Sequence, residues 1–191
     1  SFRDKHIEPL AILSLLSTIG TSNSIELKDS LQQIINEFRI KTISTSPGRI
    51  EIDLLNSLNK KLIQKFDYNE IEDRLKKIDN RIDRNFWETT RGNLDIVEDI
   101  KGWGDIVFNS NPIEPVDKEF IKIALDLMPD EPWNDETWSK WTSKIKDKTG
   151  KKGKDLFLPL RESFTGMSHG PEMKKLIQLL GRDKILERVK I

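Results

Sequence analysis

The residues best suited to chemistry lie together at positions 146–173, KDKTGKKGKDLFLPLRESFTGMSHGPEM. Lys146, Lys148, Lys151, Lys152 and Lys154 raise the local positive potential, which attracts a polyanion, and the glycines among them let that segment conform to it. Arg161 follows Pro159 and Leu160 on a segment that Leu156, Phe157 and Leu160 anchor as scaffold. Its planar guanidinium is then held where it can stack on a base or fork to a base edge, as a lysine cannot. Gly170-Pro171-Glu172 sets Pro171 at the first turn of a helix bearing Met173, Leu176, Ile177 and Leu180, whose unpaired N–H groups can meet phosphate or base acceptors. The same stretch also reads as a solvated loop between two helices, and on these residues alone the two readings stand level.

No catalytic constellation assembles beside it. Only His6 and His169 are present as histidines, and there is no cysteine, which excludes disulfides and thiolate metal sites and fits a reducing compartment. Glu70 with Glu72, and Asp126 with Asp130, sit where solvated helix faces carry charge. GKKGKD at Gly150 lacks the G-x-x-x-x-G-K-[ST] spacing of a phosphate loop and no strand precedes it. No Ser or Thr nucleophile has an identifiable base, so neither catalytic nor metal-ligating residues are expected.

The elements that must position the basic stretch read as helices. Hydrophobic content of 36% beside 34% charged residues marks a folded chain with a busy surface. Formal net charge is zero, but residues 144–191 carry 13 Lys and Arg against 6 Asp and Glu, a basic module on an acidic body. Pro9 opens a helix that carries Leu10, Leu13 and Leu16 to Gly20, and the width of its apolar face predicts burial. Leu27, Leu31, Ile34, Ile35 and Phe38 trace a second helix face, Pro47-Gly48 reads as a turn, and Leu54, Leu55, Leu58 and Leu62 restart the period. Ile71, Leu75 and Ile78 mark a short amphipathic helix, residues 86–91 another that stops at Gly92-Asn93, and residues 95–108 a further one weakened by Gly102 and Gly104. Asp117 caps a helix ended by Pro129, and Trp138, Trp141 and Ile145 recur as a core face. The expectation is an all-α fold, a two-part array of about ten short helices divided at 1–78, 79–143 and 144–191. No apolar run reaches membrane-spanning length and no signal peptide opens the chain, so a cytoplasmic protein without a membrane partner is expected.

The tail KTGKKGKDLFLPLRESFTGMSHGPEMKKLIQLLGRDKILERV resembles the C-terminal end of bacterial glutamyl-tRNA synthetases, whose pattern is GKKGKxLFxPLRxALTGxxHGPE, then an apolar helix and LLGRExxLxRL. IEPLAILSLLSTIGTS resembles the family's helix after the catalytic signature loop, ISTSPGRIEIDLLNSLN its S-x-SPAxFDxxKLxxLN segment, and FWETTRGNLDIVEDIKGWGDIV the corresponding helix pair. The resemblance implies a fragment, the helical anticodon-binding part of a class I ligase, beginning just after a KMSKS-like loop. It implies tRNA-Glu as partner, a monomeric parent, and ATP, glutamate and magnesium sites in the missing N-terminal portion, with no cofactor in the fragment. By the same resemblance Arg161 and the corner Gly170, Pro171, Glu172 and Met173 meet anticodon bases, while Lys151, Lys152 and Lys154 attract the RNA backbone. Family members that reject tRNA-Gln place an arginine just after the helix at residues 87–91. Aligned one way Asn93 stands there, which predicts relaxed charging of tRNA-Gln as well; aligned two residues earlier, Arg91 is the reader. A helical protein-interaction module without RNA binding is the rival.

Overall fold

Eleven α-helices form among the residues that the computed structural model describes, 1–44 and 49–191. The expected turn at Pro47-Gly48 lies outside them. The chain divides into two units, residues 1–81 with 94–100, and residues 82–93 with 101–191.

The first unit holds α1 (Pro9–Thr18), α2 (Leu31–Glu37), α3 (Ile52–Lys65) and α4 (Tyr68–Ile78). Pro9 starts α1, where its missing N–H would have been unpaired in any case. Helix α1 packs on α3 through Ile7, Ala11, Leu15, Leu55, Leu58 and Leu62. Asp67 and Glu70 form a reciprocal capping box at the start of α4, which buries Ile71 and Leu75. Buried Asn59 accepts the Glu8 N–H at 2.8 Å and donates to the Asp95 carbonyl at 2.8 Å. Arg74 bridges Glu8 at 2.6 Å and Glu98 at 2.8 Å.

Two expectations for this unit need correction. The second helix does not reach back to Leu27, because the Ser30 hydroxyl accepts the Gln33 N–H and fixes the start at Leu31. Of its apolar residues only Ile34 is buried, whereas Leu31, Ile35 and Phe38 are exposed. The face of α1 is also not wholly covered. Helices α2 and α3 take only part of an apolar circumference, and Leu13 and Leu16 stay exposed.

The second unit holds α5 (Arg84–Thr90), α6 (Ile100–Phe108) from its second residue, α7 (Lys118–Asp126), α8 (Thr137–Thr149), α9 (Lys154–Thr165), α10 (Met173–Leu180) and α11 (Arg182–Arg188). The helix expected over 95–108 begins at Ile100 instead. The Asp99 carboxylate accepts the N–H groups of Asp95 and Ile96 and holds a 3-10 turn, Val97–Asp99, in front of it. Trp141 is the centre of the core, with its indole N–H on the Ala124 carbonyl at 2.8 Å and its ring stacked on Phe164 at 5.4 Å. Because Trp141 and Ile145 are buried on one helix, the expected boundary at 143/144 falls inside α8. The described residues form no strand, only an isolated parallel bridge between Ile113 and Val189. No helix among them is long and apolar enough to cross a membrane.

Arg188, 2% exposed, is the largest buried cation of this unit. Its guanidinium donates to the carbonyls of Phe164 at 2.7 Å and Asn109 at 2.6 Å and to that of Ile106. Those oxygens belong to the C-terminal ends of α9 and α6, which have no intrahelical N–H partners left. Arg188→Met keeps the volume and strands three acceptors, each costing about 1–3 kcal/mol when unmet. Urea unfolding is expected to show a loss of about 3 kcal/mol or more; a loss below about 1 kcal/mol would mean that water replaces the guanidinium at little cost.

Candidate nucleic-acid interface

The basic stretch is built as two helices and a four-residue joint, not as one adaptable loop. Lys146 and Lys148 lie in the last turn of α8, where a cation offsets the negative end of the helix dipole. Gly150 ends α8 at φ 71° and Gly153 precedes α9 at φ 53°, both left-handed conformations that only glycine adopts without strain. The glycines therefore fix the path of the chain here.

The lysines are not equivalent. Lys151 pairs with Asp117 at 2.7 Å, and its ammonium lies 4.2 Å from the centre of the Phe120 ring. That ammonium, followed by the Phe120 N–H, holds the Asp117 carboxyl below the usual carboxylate range. The resulting stabilisation is present above the ordinary aspartate range and is lost as pH falls through the lowered value. Lys152 and Lys154 are exposed, the latter at the first position of α9.

Pro159 does not make a turn but lies within α9. Its ring leaves the Asp155 carbonyl without its helical partner and places Leu156, Leu160 and Phe164 on the buried face. Arg161 then stands on a flank of α9, half-buried, with Nη2 donating to the Pro171 carbonyl at 2.8 Å. Its Nη1 is buried with no partner, and burial pushes the guanidinium below its ordinary pKa without discharging it. The structure thus joins Arg161 to the Gly170–Glu172 corner.

The helix after the corner starts two residues later than expected. Helix α10 starts at Met173 with Glu172 as its cap, so Pro171 precedes the helix instead of opening it. Pro171 and Met173 are buried, with the Pro171 carbonyl taken by Arg161, so that Glu172, ion-paired to Lys174 at 3.2 Å, is the exposed residue between them. Gly170 has φ 143°, and a Cβ there would lie 2.1 Å from Cη2 of Trp103. Trp103, on α6, is thus the floor of the corner, a role that its helical spacing did not reveal. Arg91 lies on the 3-10 turn after α5, paired with Glu88 at 2.7 Å, and Asn93 at the end of that turn is exposed. Helix α5 packs on α10.

On the opposite flank of α9, a groove of about 420 Å³ is lined by Ile113, Glu114, Val116, Asp117, Pro159 and Glu162. Its carboxylates repel a polyanion, so the cationic face is the one bearing Lys154 and Arg161. GKKGKD sits between two helices, and no three His, Asp or Glu converge as a metal-holding group among the described residues.

The family model described as an anticodon binding domain matches residues 58–191. Glutamate–tRNA ligase 1 of Bartonella quintana (strain Toulouse) is 38% identical over 196 residues, covering 100% of this chain and 43% of its own length. Glutamate–tRNA ligase 1 of Anaplasma marginale (strain St. Maries) is 35% identical over 190 residues, covering 98% and 43%. The chain therefore spans less than half the length of these relatives. A crystal structure of a glutamate tRNA ligase from Elizabethkingia meningosepticum shares the fold at TM-score 0.79 with 16% identity, covering 97% of this chain and 41% of that one.

Gly170→Ala would force the loop off Trp103, in a backbone conformation that alanine adopts with strain. Overpacking of this kind costs about 1–3 kcal/mol. A lowered unfolding midpoint with altered tryptophan emission is expected; a midpoint and spectrum equal to the parent's would show that the corner is not clamped by Trp103.

Proposed function

The chain belongs to the anticodon-binding domain family, and from that premise we propose that it reads the anticodon of tRNA-Glu for a glutamate–tRNA ligase. The observation that carries this reading is the hydrogen bond from Arg161 to Pro171, which fixes a cationic fork beside the Gly170–Glu172 corner within the matched residues. Base contacts supply selection and phosphate contacts position the RNA. In the free protein the unpartnered Nη1 of Arg161 costs about 1–3 kcal/mol, and a small rotation towards a base acceptor removes that cost. Pro171 contributes by holding Arg161 through its carbonyl, Met173 through the N–H that the first position of α10 leaves without a helical partner, and Glu172, paired with Lys174, stands at the cap position between them. Lys152 and Lys154 supply salt-dependent attraction, and Lys151 less, because Asp117 already neutralises it.

The ATP- and magnesium-dependent attachment of glutamate falls to the rest of the parent ligase, which acts in the cytoplasm as a monomer. Of the two candidates after α5, Arg91 is engaged by Glu88 whereas Asn93 is exposed, which supports Asn93 as the residue facing the third anticodon base. Asparagine offers no cationic fork, so the parent accepts tRNA-Gln as well as tRNA-Glu.

Arg161→Ala is expected to weaken binding of a tRNA-Glu anticodon stem-loop by about 1–3 kcal/mol. Lys152→Ala and Lys154→Ala are each expected to reduce the slope of log K against log salt by about one, with a smaller change for Lys151→Ala. Affinities and salt slopes equal to the parent's in all four variants would refute the assignment, and a chain with no affinity for tRNA at low salt would favour the protein-interaction module. For the full-length ligase, tRNA-Gln is expected to be glutamylated at a rate comparable to tRNA-Glu; strong rejection of tRNA-Gln would return the reading role to Arg91.

A further inference from the structure

Phe157 was expected to be scaffold, yet it is 45% exposed while its neighbours Leu156 and Leu160 are buried. A single exposed phenylalanine is ordinary on its own, so its surroundings must decide. At 100° per residue along α9, Lys154, Phe157 and Arg161 fall within about 60° of arc on one flank, each about one turn from the next. Glu162 lies on the other flank, beside the groove that carries the carboxylates. The Phe157 ring is also backed. Trp138 lies behind it at 6.4 Å with a 39° tilt, and Trp138 stands edge-on to the buried Trp141 at 5.8 Å. Trp138, itself half-buried, braces the ring, and Phe157 still keeps much of its surface open to solvent.

A rigid aromatic face between two cations is the arrangement that binds single-stranded nucleic acid: the cations take the backbone and the ring takes an unpaired base. We propose that Phe157 is a base-stacking platform of this interface, receiving an unpaired anticodon-loop base adjacent to the one met by Arg161. The inference rests on the RNA-binding reading above and adds a contact to it.

The test uses the whole 191-residue chain and an anticodon stem-loop RNA with 2-aminopurine at single loop positions, whose fluorescence falls on stacking. Phe157→Leu keeps the apolar contact with Trp138 and removes the π-face. It is expected to weaken binding about five- to a hundredfold with an unchanged salt slope, and to abolish the quenching at one loop position. Phe157→Tyr, which keeps both ring and packing, is expected to bind as the parent does and guards against a folding defect in the leucine variant. Parental affinity and quenching in Phe157→Leu, with Arg161→Ala still impaired, would overturn the stacking role alone. Absence of binding by the parent chain itself would overturn the RNA reading and this inference with it.

Discussion

A buried cation must be met by acceptors, and the second unit turns three carbonyls onto the terminal nitrogens of Arg188, leaving only its Nε without a partner. Its three carbonyl partners close the ends of α6 and α9. Those two helices carry Trp103 and Arg161, the residues that shape the Gly170–Glu172 corner from below and from the side. The spacing of floor and cationic fork is therefore set by a guanidinium that itself faces no solvent. Floor and fork are thus held by one buried network at the C-terminal ends of their helices.

Helix α9 sorts chemistry by direction. Its buried face stacks Phe164 on Trp141, one flank carries Lys154, Phe157 and Arg161, and the other borders a carboxylate-lined groove. This separation lets an almost neutral protein present a local positive surface, because attraction over a few ångströms depends on the nearest charges more than on their total. Pairing refines the pattern further, since Asp117 takes Lys151 out of the free positive charge and binds it to the end of α7.

Much of this was legible in the sequence, since the period of apolar residues places α1, α3, α4, α7 and α8, and Trp87, Trp103 and Trp141 fall in the core as their size demands, although Trp138, expected on the core face, is only half-buried. What escaped was decided by side-chain hydrogen bonds or by contacts distant in sequence. Ser30 and Asp99 set helix starts that the apolar period alone would place earlier. A proline ordinarily breaks a helix interior, but Pro159 lies within α9, whose buried face is Leu156, Leu160 and Phe164. Trp103 beneath Gly170 links residues 67 apart, and nothing local announces that a tryptophan will occupy the space of a missing Cβ. The lysine-rich stretch looked adaptable because of its glycines, whose left-handed angles in fact specify one path.

The way the chain divides has a consequence for folding. Residues 94–100 complete the first unit, through Asp95 on Asn59 and Glu98 on Arg74, but they follow residues 82–93, which belong to the second. Each unit thus closes over a stretch of the other, so no single cut of the chain separates them cleanly: a cut after residue 81 carries residues 94–100 of the first away with the second, and one after residue 100 keeps residues 82–93 of the second with the first. Loop closure over such a stretch adds only slowly to the entropic cost of folding. It does, however, tie the two units kinetically: the first unit cannot finish until the chain has passed through the beginning of the second, and a nick between residues 81 and 94 would remove part of both.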